Sequence, residues 1–148
     1  MSDGCIFCKI VQGIAPASMV YEGALTIAFI DLRQFHPGHT LVIPRQHLQD
    51  VRDLDAATGA ELITTVAHIA KAVAASFPNQ GMSVWHSIGE AADQEVPHLH
   101  FHVHPRMVGD GAVRIYPRAP ATPSKYILDE YASTLHAYLE RHQAQSDN

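Results

Sequence analysis

Between His98 and Arg106 the chain reads His-Leu-His-Phe-His-Val-His-Pro-Arg, with a histidine at every second position through His104. Strict alternation of polar and apolar residues belongs to a β-strand, where successive side chains leave opposite faces. A helix would scatter these imidazoles around its circumference. The run therefore predicts a strand over Pro97 to Pro105, with Leu99, Phe101 and Val103 turned to a core and His98, His100, His102 and His104 turned together to the other side. A strand of this kind needs a sheet around it and a cover over its apolar face.

The remaining sequence supplies both. Met19 to Glu22 and Leu25 to Ile30 flank Gly23-Ala24 at the spacing of a hairpin, and Thr40-Leu-Val-Ile-Pro44 reads as a third strand stopped by proline. Met82 to Ile88 reads as a fourth, joined to the histidine strand through the acidic loop Gly89 to Glu95. After Asp55, a residue suited to an N-cap, Leu62, Val66, Ile69 and Val73 recur at helical spacing, and the helix ends before Pro78. A second helix is predicted from Lys125 to Arg141, with Ile127, Tyr131, Leu135 and Tyr138 on one stripe. Residues 5–12 have room for one or two helical turns before Gly13. Residues 109–124, with Pro117, Pro120 and Pro123, predict an irregular excursion, and residues 143–148 a frayed tail. With no repeat and no linker, the expectation is a single domain over residues 1–148. It is an α+β fold with an antiparallel sheet of about five strands, two main helices and helix over one face. No G-x-G-x-x-G follows a strand, which argues against a dinucleotide-binding fold.

A chain of 148 residues buries enough surface to fold without disulfides or metals, so Cys5 and Cys8 are not a folding framework. Ten Lys plus Arg against fifteen Asp plus Glu gives a net charge of −5 with no basic run, which disfavours a nucleic-acid duplex or an anionic membrane as partner. No segment offers a membrane-spanning apolar run, and the start lacks the basic and apolar regions of a signal peptide, so a cytoplasmic location is expected.

The eleven histidines outnumber Lys plus Arg. Neutral imidazole is an available nucleophile near pH 7, and a central histidine flanked by others has the groups needed to fix its tautomer and to meet phosphoryl oxygens. Two histidines at i and i+2 on a strand also suit a catalytic zinc with an open position for water. Side chains at i and i+4 start about 13 Å apart on an extended strand, so one ion does not collect three of them.

The block His98 to Arg106, preceded by Gln94-Glu-Val-Pro97, resembles the signature of the histidine triad (HIT) family. Phe29-Ile-Asp-Leu32, Pro37-Gly-His-Thr-Leu-Val-Ile-Pro44 and Cys5-Ile-Phe-Cys-Lys-Ile10 resemble its other blocks, the last that of its zinc-containing bacterial members. The resemblance implies a nucleotide hydrolase or nucleotidyl transferase, cleaving phosphoramidates or dinucleoside polyphosphates at the α-phosphate through a nucleotidyl-histidine intermediate. It implies His100 as nucleophile, His98 and His102 as its flanking partners, with His102 at the phosphate and leaving group, and His39 in a relay behind them. It further implies Asp31 at the ribose, Phe7, Ile10, Phe29 and Leu32 around a purine base, and Gln94, Glu95 and Val96 bordering the phosphate. Ser87 stands where relatives commonly carry Asn or Gln near the ribose and phosphate. Cys5, Cys8, His47 and His98 would hold a structural zinc, with no organic cofactor, and the protein would be a homodimer. His104 falls outside the triad register and reads as a satisfied or exposed side chain. Two other readings stay open: a zinc hydrolase using strand histidines as ligands, and a nucleotide-binding module with vestigial catalysis.

Overall fold

In this computed structural model, which describes residues 4–146, the chain runs α1 (Ile6–Val11), β1 (Met19–Glu22), β2 (Thr26–Ile30), β3 (Thr40–Pro44), α2 (Ala56–Ser76), β4 (Gly81–Trp85), β5 (Phe101–Arg106) and α3 (Lys125–Ser146). The five strands form one sheet in the order β1-β2-β3-β5-β4, every neighbouring pair antiparallel. Contacts divide the chain into two units, Met1–Ala112, which holds the sheet, and Val113–Asn148, which holds α3.

Both faces of the central strands are buried, which is why β2 and β3 read as nearly continuous apolar runs. On one face Ala28, Val42, Leu99 and Val103 pack against Leu62, Val66, Ile69 and Val73 of α2. Each such aliphatic side chain contributes roughly 1.5–3 kcal/mol on burial. On the other face Ile27, Phe29, Leu41 and Ile43 meet Cys5, Phe7 and Cys8 of the α1 segment. The expected α2 is present with its expected cap: Asp55 accepts from the Thr58 backbone N–H at 2.9 Å and from its hydroxyl at 2.7 Å. Pro78 follows Phe77, whose extended backbone closes the helix. From the same helix Glu61 accepts hydrogen bonds from the Leu25 and Thr26 backbone at 2.8 and 3.0 Å, tying α2 to the β1–β2 hairpin.

Three boundaries differ clearly from expectation, the first that of β4, which ends at Trp85 rather than Ile88. The histidine strand begins at Phe101 rather than Pro97, because its neighbours end there: β3 pairs no further than Val42 with Phe101, and β4 stops with Trp85 opposite His102. The chain before it turns aside, the Leu99 N–H donating to the Leu48 carbonyl at 2.7 Å. Helix α3 continues through Ser146, past Arg141, on residues with no helix breaker; the last two positions of the expected tail, 147 and 148, lie outside the described residues. Residues 109–124 are irregular. Among the described residues no helix is long and apolar enough to cross a membrane.

Candidate active site and metal cluster

The alternation of faces holds through the histidine segment even where the ladder does not. Leu99 and Val103 lie in the α2 core, while Phe7 of α1 meets the His98 and His100 rings edge-on at 5.8 and 5.3 Å, on the opposite face. His102 pairs with Leu41 on one side and Trp85 on the other, and the Trp85 indole stacks on its ring at 4.3 Å with an interplanar angle of 5°.

Backbone carbonyls set the tautomers. A carbonyl oxygen only accepts, so any ring nitrogen bonded to one carries the proton. His100 Nδ1 donates to the His98 carbonyl at 2.7 Å, leaving the Nε2 lone pair available. His98 Nε2 donates to the Pro44 carbonyl at 2.9 Å, leaving Nδ1 as the free lone pair. His39 Nδ1 donates to the Arg33 carbonyl at 3.2 Å, so its Nε2 accepts from His102 Nδ1–H at 2.9 Å. His86 Nδ1 donates to the carbonyl of His100 at 3.0 Å. Burial holds these rings neutral: loss of water pushes His98 down to about 4 and His102 to about 3, the latter helped by the neighbouring His100 and His39. Burial likewise lowers His39, His86 and His100.

Gly38 places His39. Its φ is +107°, and a Cβ there would sit 2.6 Å from the Phe77 ring, so the residue before His39 has to be glycine. Thr40 and the β2–β3 pairing then hold His39 beside His102, with Asp31 Oδ2 at 3.7 Å from His39 Nε2 and 4.0 Å from His102 Nδ1.

A second cluster lies on the far side of His98. The Sγ atoms of Cys5 and Cys8 are 3.5 and 3.6 Å from His98 Nδ1, Cys8 Sγ is 3.3 Å from His47 Nδ1, and the two Nδ1 atoms are 3.3 Å apart. Around a tetrahedral ion with zinc bond lengths, two imidazole nitrogens lie about 3.3 Å apart and a sulfur and a nitrogen about 3.5 Å. The four residues therefore fit one tetrahedral metal ion. Asp31, His39 and His102 also bring ligand atoms within 4.8 Å of one another. There the hydrogen bond between the two imidazoles already accounts for the approach.

The residues implied for nucleotide contact divide. Phe7 and Phe29 are buried in edge-to-face contact at 5.5 Å, Ile10 is half-buried, and Leu32 is 99% exposed. Asp31 is buried and accepts from the Arg33 N–H at 2.8 Å. Gln94 uses its side chain to join two loops, accepting from the Gly89 N–H at 2.8 Å and donating to the Gln49 carbonyl at 2.9 Å. Ser87 and Val96 are half-buried, and Glu95 pairs with Arg33. His104 is a correction: it is neither exposed nor satisfied, being 3% exposed with its Nδ1 lacking a hydrogen-bond partner. It is enclosed by the rings of His39, Trp85, His36 and Phe35, a cage that periodicity cannot reveal. Trp85, His86 and Arg33 were not expected at the site. Only the β4–β5 register and the meeting of two distant loops bring them there.

Residues 12–108 match the HIT domain. The chain is similar to a HIT family protein from Bacillus anthracis, whose crystal structure superposes with a TM-score of 0.85 at 35% identity, covering 93% of this chain and 99% of that one. It is 33% identical over 122 residues to an adenosine 5'-monophosphoramidase of Schizosaccharomyces pombe, covering 82% of this chain and 89% of that protein. A zinc-bound histidine triad family protein from Mycobacterium smegmatis superposes with a TM-score of 0.68 at 38% identity, over 78% of this chain and 84% of that one. The five-stranded antiparallel sheet, its histidine segment and these likenesses agree, and the chain belongs to the HIT family.

Proposed function

We propose that the protein cleaves nucleoside phosphoramidates or related nucleotide conjugates at the α-phosphate, using His100 as nucleophile. The observation that carries this reading is the 2.7 Å bond from His100 Nδ1 to the His98 carbonyl. It protonates the inner nitrogen and leaves a lone pair on Nε2 of a ring kept neutral by burial, which is the state a nucleophilic imidazole needs. Attack forms the Nε2–P bond and breaks the bond from phosphorus to the leaving group; water then cleaves the Nε2–P bond and releases the nucleotide. His102 holds its Nδ1 proton toward His39, so its Nε2 is the nitrogen available to the phosphoryl group and leaving group. A proton on that Nε2 is unfavourable in the free protein, and the anionic substrate supplies the counter-charge that makes it tolerable.

The purine base packs among Phe7, Phe29, Ile10 and Leu32, whose exposed side chain closes over it, and Asp31 accepts from the ribose hydroxyls. Cys5, Cys8, His47 and His98 hold a structural zinc. Four protein ligands would leave such an ion no position for water, and holding the His98 side chain would steady the residue whose backbone carbonyl orients His100. The name of the fission-yeast relative and the zinc-bound mycobacterial structure support these two points. The exposed Tyr131, Leu135 and Tyr138 of α3 support a homodimer, which sedimentation at two concentrations tests.

The mechanism is tested by intact-protein mass spectrometry after incubation with an adenosine 5'-phosphoramidate, on wild type and His100→Ala. A nucleotide-sized adduct in wild type, absent together with turnover in the variant, is expected. Undiminished turnover in His100→Ala would overturn it.

A further inference from the structure

Two loops border the catalytic histidines. One leaves β2 and carries Asp31, Leu32 and Arg33; the other precedes β5 and carries Gln94, Glu95 and Val96. They are joined by a bidentate ion pair, Arg33 Nη1 donating to Glu95 Oε1 at 3.0 Å and Nη2 to Oε2 at 2.7 Å. The two side chains are 74% and 64% exposed, so water screens the pair and another anion can replace Glu95 at little expense. An ion pair so placed contributes little to folding.

The two ends of Arg33 are held differently. Its backbone is built into the site: the N–H donates to Asp31 Oδ1 at 2.8 Å, and the carbonyl accepts from His39 Nδ1 at 3.2 Å. Its guanidinium makes its hydrogen bonds to Glu95 alone among the described residues. The backbone is thus fixed beside the relay while the head group is exchangeable. Both side chains leave backbone that supports the reacting end, since the Arg33 carbonyl holds His39, which bonds His102, and Glu95 lies five residues before His100 on the same segment. A substrate carrying a phosphate beyond the α-phosphorus brings added negative charge to a cleft that already contains Asp31 and Glu95. A guanidinium is the group that meets phosphate oxygens with the same two-pronged geometry it uses on a carboxylate.

We propose that the Arg33–Glu95 pair is a charge gate for the leaving group: a second phosphate takes Arg33 from Glu95, whereas an amine leaving group is received with the pair closed. Arg33 is then the specificity residue for anionic leaving groups, and Glu95 the carboxylate that competes with them. The proposal rests on the nucleotide reading above and assigns the discrimination to side chains outside the histidine cluster.

Calorimetric binding of AMP and of non-cleavable α,β-methylene ADP to wild type, Arg33→Gln, Arg33→Lys and Glu95→Gln tests it. Loss of one unit charge about 4 Å from a phosphate in a water-filled mouth corresponds to about a fivefold change in affinity. The preference for methylene ADP over AMP should fall about fivefold in Arg33→Gln, less in Arg33→Lys, and rise in Glu95→Gln. The same preference in all four proteins overturns the gate while leaving the nucleotide reading intact. Failure of wild type to bind either nucleotide overturns both.

Discussion

Stripping the metal from the Cys5–Cys8–His47–His98 cluster separates the structural role proposed for zinc from a catalytic one. The ligand atoms of these residues lie within 4.8 Å of one another, with the two Nδ1 atoms 3.3 Å apart, so the folded chain presents the tetrahedron ready-made and the unfolded chain does not. An ion that binds only the native state stabilises it by RT ln(1 + [L]/Kd), about 4 kcal/mol when free zinc is a thousandfold above Kd. For a chain of 148 residues this corresponds to a melting temperature lower by roughly 10 °C on removal of the ion. The assay is metal content by mass spectrometry alongside thermal unfolding before and after treatment with a strong chelator, repeated on Cys8→Ser. Purified wild type should contain one zinc per chain and lose stability on chelation, and Cys8→Ser should already sit near the chelated value. Because the core between the sheet and α2, with Leu62, Val66, Ile69 and Val73, contains none of the four ligands, the stripped protein should stay folded at 25 °C and retain turnover. A wild type without zinc and with unchanged melting would refute the metal assignment. A folded, stripped protein with no turnover until zinc is restored would refute the structural role and favour metal-activated water.

Replacing His104 with Leu removes a buried ring nitrogen that has no hydrogen-bond partner, and should raise stability by about 1 kcal/mol in urea unfolding. A loss of stability would mean that the ring makes a polar contact through ordered water. Gly38→Ala forces φ +107° on a residue with a Cβ and drives that atom to 2.6 Å from Phe77, so a loss of about 1–3 kcal/mol is expected, with lowered kcat because His39 follows directly. Stability should also depend on pH through His102, whose ring faces Asp31, Arg33, His39, His100 and His104 and is held at about 3 in the folded state against 6.5 ordinarily. The unfolded chain takes up this proton first, so stability is full above pH 6.5 and falls by at least about 1 kcal/mol per unit as pH drops below it, the other buried histidines adding to the slope; urea titrations at pH 7, 6 and 5 check the slope, and a flat profile contradicts it.

What could be read from the chain alone was whatever repeats over short distances. Alternation in Leu99, Phe101 and Val103 identified the core face of the histidine segment, and the spacing of Leu62, Val66, Ile69 and Val73 identified α2, because each pattern reports one element's own geometry. The same alternation overran the strand at its start. Where a ladder begins depends on its neighbours, and β3 and β4 run out at Phe101 and His102, leaving His98 free to turn toward the cysteines. The residues that complete the site come from far along the sequence. Cys5 lies 93 positions from His98, and Arg33 lies 62 from Glu95. No local rule joins such pairs; the first became legible through resemblance to a family, and the second did not, because an ion pair between two loops leaves no periodic trace. His104 shows the same limit from inside a strand. Its face was readable and its surroundings were not, since the rings that bury it come from the loop before β3 and from β4. Alternation therefore says which way a side chain points, and only the packed sheet says whether it meets solvent, a partner or, as here, a cage of rings that leaves one nitrogen without a bond.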